Sequence, residues 1–298
     1  FPPEQVLRMA TGTNGELLLG NRNKVCSTSC ATGPAFEGAQ IKFGMRAAPG
    51  AIEMVNIDPL TREPRYKVIG KADWHTNVAK VKAKGICGSG IIEVVAELYL
   101  AGVIRHDGTI DGALAARNPR IRADGRTWAY ELHPAAADRA PLAITQNDVR
   151  AIQLAKAALY AGVRLLMERL AIDRVDRIRL AGAFGSHIDP KYAMVLGMIP
   201  DCALDRVASV GNAAGAGARI ALLDATARTA IEDLVRRVEK IETAIEPRFQ
   251  AHFIEAMAIP HKTAAYPELR KVVTLPEAKE SAAQGATRGR RGRRITNP

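Results

Sequence analysis

Four glycine-rich segments carry the residue types that bind phosphate groups through the backbone. They are GTNG at 12–15, GICGSG at 85–90, GAFG at 182–185 and GNAAGAGA at 211–218. Glycine allows positive φ and close backbone approach, and asparagine tolerates the left-handed region. The same residues also form ordinary turns, and TGTNGELLLG (11–20) has the pattern of a turn followed by a strand. A hairpin turn and a phosphate-binding loop are therefore both open interpretations.

None of these segments has the dinucleotide-binding fingerprint, and the sequence lacks the GxxxxGK[ST] pattern, so each is weak evidence alone. GICGSG precedes an apolar helical pattern and could offer backbone N–H groups to an anion, or could be a capped turn. GNAAGAGA could let two helices pack closely. Thr13 and Asn14 could hydrogen-bond a phosphate beside the backbone amides of Gly12 and Gly15.

Composition indicates a globular chain rather than a membrane or nucleic-acid protein. The 298 residues are 47% hydrophobic and 24% charged, as in soluble proteins, and no apolar run approaches the roughly 20 residues of a membrane span. Five of the eleven net positive charges lie after Glu280, which leaves +6 for residues 1–280. Aromatic residues make up only 5%, which argues against stacking platforms for single strands.

The two ends and the cysteines add three expectations. The Gly/Arg-rich stretch 281–298 predicts a disordered, solvated tail, with RNA or an acidic surface as the alternative contact. The start FPPEQV has no initiator methionine and no signal pattern, which predicts that an upstream part is missing. The four cysteines (Cys26, Cys30, Cys87, Cys202) form no CxxC pair, which predicts a reduced, cytoplasmic chain without a protein-built metal centre.

The hydrophobic pattern predicts an α/β fold with a β-rich start. Strand-like runs alternate with glycines over 1–70, and Ser89 could cap a helix that ends near Gly102. Residues 105–143 are polar and contain Asp-Gly turns, which predicts a peripheral hairpin or loop excursion.

The second half of the chain has clearer signals. Thr145 and Asp148 resemble a capping box that opens a long amphipathic helix. The run RIRLA (177–181) predicts a short strand, and Asp189 before Pro190 predicts the next helix start. A further strand and a small-residue helix follow, and 225–245 has the pattern of one amphipathic helix.

Six stretches of the sequence together carry a family resemblance. SCATGPAFEGAQIKFGMRAAPGAIE (29–53), GTNGE, GICGSG, ITQNDVRAIQLAKAALYAGV (144–163), LAGAFGSHID (180–189) and VGNAAGAGA (210–218) closely resemble the ATP-dependent reductive activators of corrinoid proteins. The resemblance spans about residues 9–262. The C-terminal domain of these activators belongs to the superfamily of acetate and sugar kinases, heat-shock protein 70 and actin.

This resemblance implies an actin-like ATPase (ribonuclease H-like) fold, of which this chain is the C-terminal half. Residues 1–280 would form that part, with a peripheral insertion at about 40–143 and the tail at 281–298. GTNGE would be the second phosphate loop, LAGAFG the adenosine loop and GNAAGAGA the interdomain hinge. The implied nucleotide-binding residues are Gly12, Thr13, Asn14, Gly15, Gly88, Ser89, Gly182, Ala183, Phe184 and Gly185. The implied hinge residues are Gly211, Asn212, Gly215 and Gly217.

The resemblance also implies cofactors and partners. ATP and Mg²⁺ would bind the full-length protein, and a [2Fe-2S] domain upstream would supply the electron that returns cob(II)amide to cob(I)amide. The client would be a corrinoid protein or a cobalamin-dependent methyltransferase such as methionine synthase. A homodimer is compatible with this picture, and the fragment alone is expected to be inactive.

The sequence departs from the family pattern at position 10. An aspartate is expected two residues before Gly12, and Ala10 stands there instead. A carboxylate at that position would hold the metal ion through water. The second hypothesis is therefore a non-catalytic, actin-like interaction module that has lost ATP turnover. Nucleic-acid binding through the arginine tail is a third hypothesis.

A few other side chains have two interpretations each. Phe184 could stack on adenine or pack in the core. Glu37 and Glu53 could act as acids beside a cleft, although solvated surface positions are the simpler interpretation. Cys30 and Cys87 suit small buried thiols better than nucleophiles, and His187 could line the adenosine loop.

Overall fold

The computed structural model describes residues 3–75, 81–135 and 140–277. Its strands are β1 (Val6–Thr11), β2 (Asn14–Gly20), β3 (Val25–Ala31), β4 (Ala51–Ile57), β5 (Pro64–Val68), β6 (Gly85–Ile86), β7 (Ile121–Asp124), β8 (Thr127–His133), β9 (Leu142–Thr145), β10 (Arg177–Ala181), β11 (Val207–Gly211) and β12 (Glu239–Ile241). Its α-helices are α1 (Gly88–Leu100), α2 (Gln146–Arg169), α3 (Gly182–Gly185), α4 (Pro190–Leu196), α5 (Ala213–Leu223), α6 (Ala225–Arg237), α7 (Phe249–Glu255) and α8 (Pro267–Arg270). Two short 3₁₀ turns cover Gly112–Ala116 and Leu204–Arg206. The fold is mixed α/β, as predicted.

The main sheet has six strands in the order β11-β10-β1-β2-β3-β12. The first three strands form an antiparallel meander. β10 runs parallel to β1, β11 runs parallel to β10, and β12 runs parallel to β3. Parallel pairing requires long crossover connections, which the chain supplies with its helices.

The long helix α2 covers one face of this sheet against β2 and β3. Its start is the predicted capping box: Thr145 Oγ1 accepts from Asp148 N (3.2 Å), and Asp148 Oδ2 accepts from Thr145 N (2.8 Å). A cap of this kind is worth about 1 kcal/mol. The helix lies close to the sheet because Gly162 has no side chain, and a Cβ there would collide with Cys30 Sγ.

Two smaller sheets fill the region predicted as an insertion. One has the order β5-β4-β6 and the other β7-β8-β9. The predicted hairpin within 105–143 is confirmed by β7 and β8, whose turn contains Gly125 at φ +61°. β9 adds a third strand that the polar composition did not indicate. The division into an insertion at 40–143 and a surrounding domain stays a prediction.

The prediction of one helix over 225–245 is wrong at its end. α6 stops at Arg237, and β12 then pairs with β3 through Glu239 opposite Cys26. Thr28 Oγ1 donates to Ile241 O at 2.8 Å and fixes this pairing. A free sheet edge thus overrides a local helical pattern, because tertiary pairing outweighs propensity. The predicted tail at 281–298 lies outside the described residues.

Candidate nucleotide site

Three of the four glycine-rich segments lie at one edge of the main sheet. β1, β10 and β11 run parallel, so their carboxyl ends meet at the same edge, with Ala10 beside Ala181 and Ala181 beside Gly211. Residues 12–15, 182–185 and 211–217 follow directly after these strand ends. We call these three loops the open edge. In α/β sheets, ligands bind outside the carboxyl ends of parallel strands.

The β1–β2 turn is held rigidly by the loop after β3. Gly12 N donates to Asn14 O at 3.0 Å, and Thr32 Oγ1 donates to Gly12 O at 2.7 Å. Thr13 O accepts from the backbone N–H groups of Thr32 (3.2 Å) and Gly33 (3.0 Å). The side chains of Thr13 and Asn14 remain exposed on this fixed turn. Their predicted contact with a phosphate stays a prediction.

Gly15 has a structural role that is independent of any ligand. It is buried, and a Cβ there would collide with Leu159 of α2. Its small size lets the β1–β2 hairpin pack against the helix. Its predicted part in nucleotide binding stays a prediction.

Gly182 and Gly211 border open space. Both have positive φ, +86° and +62°, and a Cβ on either would meet no heavy atom of the described residues within 4 Å beyond its chain neighbours. Gly185 is buried, with a Cβ position 3.0 Å from Leu180 C. The loops are joined because Ser186 Oγ donates to Gly182 O (3.0 Å) and Ser209 Oγ donates to Ser186 Oγ (3.4 Å). A flat or anionic group could approach the backbone here.

Two predicted contacts in the GAFG loop stay predictions. Ala183 and Phe184 lie in the short helix α3, but their side chains are outside the part of the structure that is described. Stacking of Phe184 on adenine is therefore untested. His187 follows the loop and is exposed.

The predicted hinge segment begins with a capped helix. Asn212 Oδ1 accepts from Gly215 N at 2.8 Å, which makes Asn212 the N-cap of α5. A Cβ on Gly215 would lie 2.5 Å from Asn212 Nδ2, so this glycine is needed for the cap. Gly217, two residues further along α5, faces open space within the described structure.

GICGSG lies on a different sheet and its glycines pack against backbone. A Cβ on Gly90 would collide with Ile52 O, and one on Gly85 would lie 2.8 Å from Phe43 O. The expectation that Ser89 caps the helix is wrong. Cys87 is the N-cap without a side-chain cap, and Ser89 Oγ donates to Glu53 O at 3.1 Å. Nucleotide binding by Gly88 and Ser89 stays a prediction.

Two glutamates of α1 that sequence reasoning missed hold β4 in place. β6 pairs only with the first two residues of β4, so the N–H groups of Val55 and Ile57 need other partners. Glu93 Oε2 accepts from Val55 N (2.8 Å), and Glu97 Oε2 accepts from Ile57 N (2.7 Å). Their spacing of four residues within an apolar helix was the available signal.

These carboxylates also connect α1 to the helix after the GAFG loop. Tyr192 of α4 donates from its hydroxyl to Glu97 Oε1 at 2.5 Å. Burial raises the pKa of Glu93 to about 7, with Asp189 and Glu97 adding to the rise and the Val55 N–H opposing it. A hydrogen bond between α1 and α4 thus joins the helix that follows GICGSG to the helix that follows the GAFG loop.

The remaining candidate side chains divide clearly. All four cysteines are free and buried, and burial raises the pKa of Cys30 to about 12, which suits a packed thiol rather than a nucleophile. Glu53 is half-buried in β4, whereas Glu37 is exposed beside the β1–β2 turn.

Across 3–75, 81–135 and 140–277, no group of three or more His, Cys, Asp or Glu is placed to hold a metal ion. In the same ranges no helix has the length and apolarity to cross a membrane.

Comparison with known proteins assigns this architecture to the ASKHA class. A family model described as the C-terminal domain of RACo, the ASKHA domain, matches residues 4–270. The chain therefore belongs to the family of RACo C-terminal domains.

Relatives named as corrinoid activators agree with this assignment. The chain is 38% identical over 260 residues to the corrinoid activation enzyme RamQ of Eubacterium limosum, covering 84% of this chain and 42% of that protein. It is 25% identical over 252 residues to a reductase of the methylated amine-specific corrinoid protein of Methanosarcina barkeri, covering 80% and 42%.

A solved structure shares the fold. It is described as a reductive activator for corrinoid, iron–sulfur protein, with a TM-score of 0.74 and 35% sequence identity over 87% of this chain and 40% of that chain. The chain thus spans about two-fifths of the length of the relatives it matches.

Proposed function

We propose that this chain is the nucleotide-binding and client-docking part of an ATP-dependent reductive activator of a corrinoid protein. The observation that carries the nucleotide proposal is the convergence of three glycine-rich loops at the open edge, with space in front of Gly182 and Gly211. The ASKHA family of the chain and the names of its relatives support the activator role.

Each loop has a proposed task in holding the nucleotide. The exposed side chains of Thr13 and Asn14, with the backbone at Gly12, hold phosphate oxygens. Residues 182–185 bind the adenosine, and the hinge is formed by Gly211, Asn212, Gly215 and Gly217. Bound Mg²⁺ neutralises phosphate charge and keeps much of its water shell. Gly88 and Ser89 add a contact from the start of α1.

The whole protein then has a one-electron task. One electron reaches cob(II)amide, from a [2Fe-2S] cluster outside this chain, and gives cob(I)amide. The client is a corrinoid protein or cobalamin-dependent methyltransferase in the cytoplasm. The part played by this chain is to couple nucleotide binding to the contact with that client.

Calorimetric titration of the full-length protein with MgATP and MgADP tests the nucleotide proposal. Gly182→Ala should weaken binding, because its methyl group enters the open space before the adenosine loop. Gly125→Ala is the matched control, since Gly125 also has positive φ and open surroundings but lies in the β7–β8 turn. Binding of neither nucleotide by the wild type, or equal loss in both variants, would contradict the proposal.

A non-catalytic ASKHA module is the second candidate, and Ala10 favours it. Ala10 stands at the end of β1 beside Ala181, where it offers no oxygen to a metal ion. Ala10→Asp should raise the ATPase rate of the full-length protein if the site is merely disabled. An unchanged rate, with nucleotide binding intact, would favour the module.

A further inference from the structure

Glu37 places a carboxylate directly beside the β1–β2 turn. Its Oε1 lies 3.4 Å from the Cβ position of Gly12, and its Oε2 accepts from Thr13 Oγ1 at 3.5 Å. The side chain is exposed, so both oxygens can be reached from solvent. Glu37 therefore faces the same backbone that is proposed to hold phosphate.

The loop that carries Glu37 is fixed on both sides. Thr32 and Gly33 are bonded to the carbonyl groups of the turn, as described above. Phe36, directly before Glu37, is buried in the core at 1% exposure. Gly38 N donates to Ala35 O at 3.0 Å, which closes a tight turn around the glutamate. The backbone that carries the carboxylate is thus held in place beside the β1–β2 turn.

A groove adjoins this carboxylate. It has a volume of about 520 Å³ and is lined by Glu37, Gly38, Ala39, Gly44, Met45 and Arg46. The acidic side chain of Glu37 and the basic side chain of Arg46 both line the groove. This pair suits a ligand that contains both anionic oxygens and a cation. A metal–phosphate group has this combination.

Ala10 cannot perform the metal-holding task, and the structure offers two nearby acids instead. Glu16 lies opposite Ala10 on β2, and its Oε1 accepts from Ser29 Oγ at 2.9 Å, which holds the side chain toward β3. Glu37 reaches the turn itself. Mg²⁺ in nucleotide sites commonly uses one or two carboxylates, with phosphates and waters filling its other positions.

We propose that Glu37 positions the metal ion of the bound nucleotide, in place of the acid that is missing at position 10. This inference rests on the proposed nucleotide site. It predicts a specific signature, because a carboxylate beside phosphate repels the metal-free nucleotide and attracts the metal-bound one. Glu37 therefore makes nucleotide binding depend on the metal.

Calorimetric titration of the full-length protein with ADP, in Mg²⁺ or in EDTA, measures this dependence. In the wild type, Mg²⁺ should tighten binding. In Glu37→Gln, we expect the gain from Mg²⁺ to fall by roughly tenfold or more, while metal-free ADP binds as well or better. A purely structural role would weaken both forms equally.

Three further variants test the inference. Glu16→Gln is the matched control at the same hairpin and should keep the gain from Mg²⁺. Glu37→Asp should retain part of it, and Ala10→Asp in the Glu37→Gln background should restore it. The inference is overturned if Glu37→Gln keeps the full gain or if Glu16→Gln loses it instead. A wild type that binds neither form overturns the nucleotide proposal as well, whereas the first two outcomes overturn this inference alone.

Discussion

The GICGSG segment and the open edge are both rich in glycine, yet their glycines have opposite surroundings. Gly85 and Gly90 lie against the backbone of Phe43 and Ile52, where no side chain would fit. At the open edge, Gly182 and Gly211 face space within the described structure. Glycine is thus required in the first region by packing inside the chain. In the second region the glycines leave open space in front of the backbone.

Burial separates the same two regions. Most of α1, which begins in GICGSG, is buried between β4 and α4. Every residue of α5 and α6, which follow the open edge, is exposed or half-buried, including the large apolar side chains of Ile220, Leu222 and Leu223. Apolar surface of this kind is typical of contact regions. This contrast agrees with the proposed hinge role of the segment after β11.

The largest expected effect belongs to Gly90→Ala. The added methyl group would collide with Ile52 O, a backbone atom that cannot rotate away. We expect the free energy of unfolding to fall by about 3 kcal/mol, although alanine alone would favour the helix. Urea unfolding followed by circular dichroism measures the change. Stability equal to the wild type would contradict the packing role assigned to this region.

The sequence correctly predicted the helix starts that depend only on neighbouring residues. The capping box at Thr145 and Asp148 and the Asp189–Pro190 start lie where they were expected, because a few neighbouring residues determine each of them. The open edge was also predictable in part. The glycine loops were visible, but their convergence follows from the parallel pairing of β1, β10 and β11.

Features that depend on distant partners escaped the sequence. Ser89 has the residue type of a cap, yet the nearby carbonyl of Glu53 takes its hydroxyl. Glu93 and Glu97 look like surface charges until the shortness of β6 exposes the N–H groups that they bind. The position of Glu37 beside Thr13 likewise needed the folded loop.

Glu93→Gln gives an intermediate effect that depends on pH. Burial raises the pKa of Glu93 from 4.5 to about 7 in the folded chain. The pKa of Glu93 is higher in the folded chain than in the unfolded chain. The contribution of its carboxyl group to the free energy of unfolding is therefore complete below about pH 4.5 and is lost as the pH rises through 7. The wild type should therefore lose up to about 1.4 kcal/mol relative to Glu93→Gln between pH 6 and 7.

Urea unfolding at the two pH values measures the difference for Glu93→Gln. The variant keeps an oxygen that can accept from Val55 N, so the hydrogen bond to β4 is conserved. Glu277→Gln, at an exposed position, gives the background. Parallel pH profiles of wild type and Glu93→Gln would show that this carboxylate stays ionised in the folded protein and that the α1 region is wetter than its packing indicates.

The smallest effect on stability is expected for Gly217→Ala, which tests the open edge directly. The methyl group meets no described atom within 4 Å, and alanine favours a helix by up to about 1 kcal/mol over glycine. Unfolding should therefore show equal or slightly higher stability, in contrast to Gly90→Ala. The proposed hinge role predicts that nucleotide affinity of the full-length protein nevertheless falls, because an added methyl group would occupy space at the hinge. Unchanged affinity would contradict the hinge role and leave Gly217 a tolerated helix glycine.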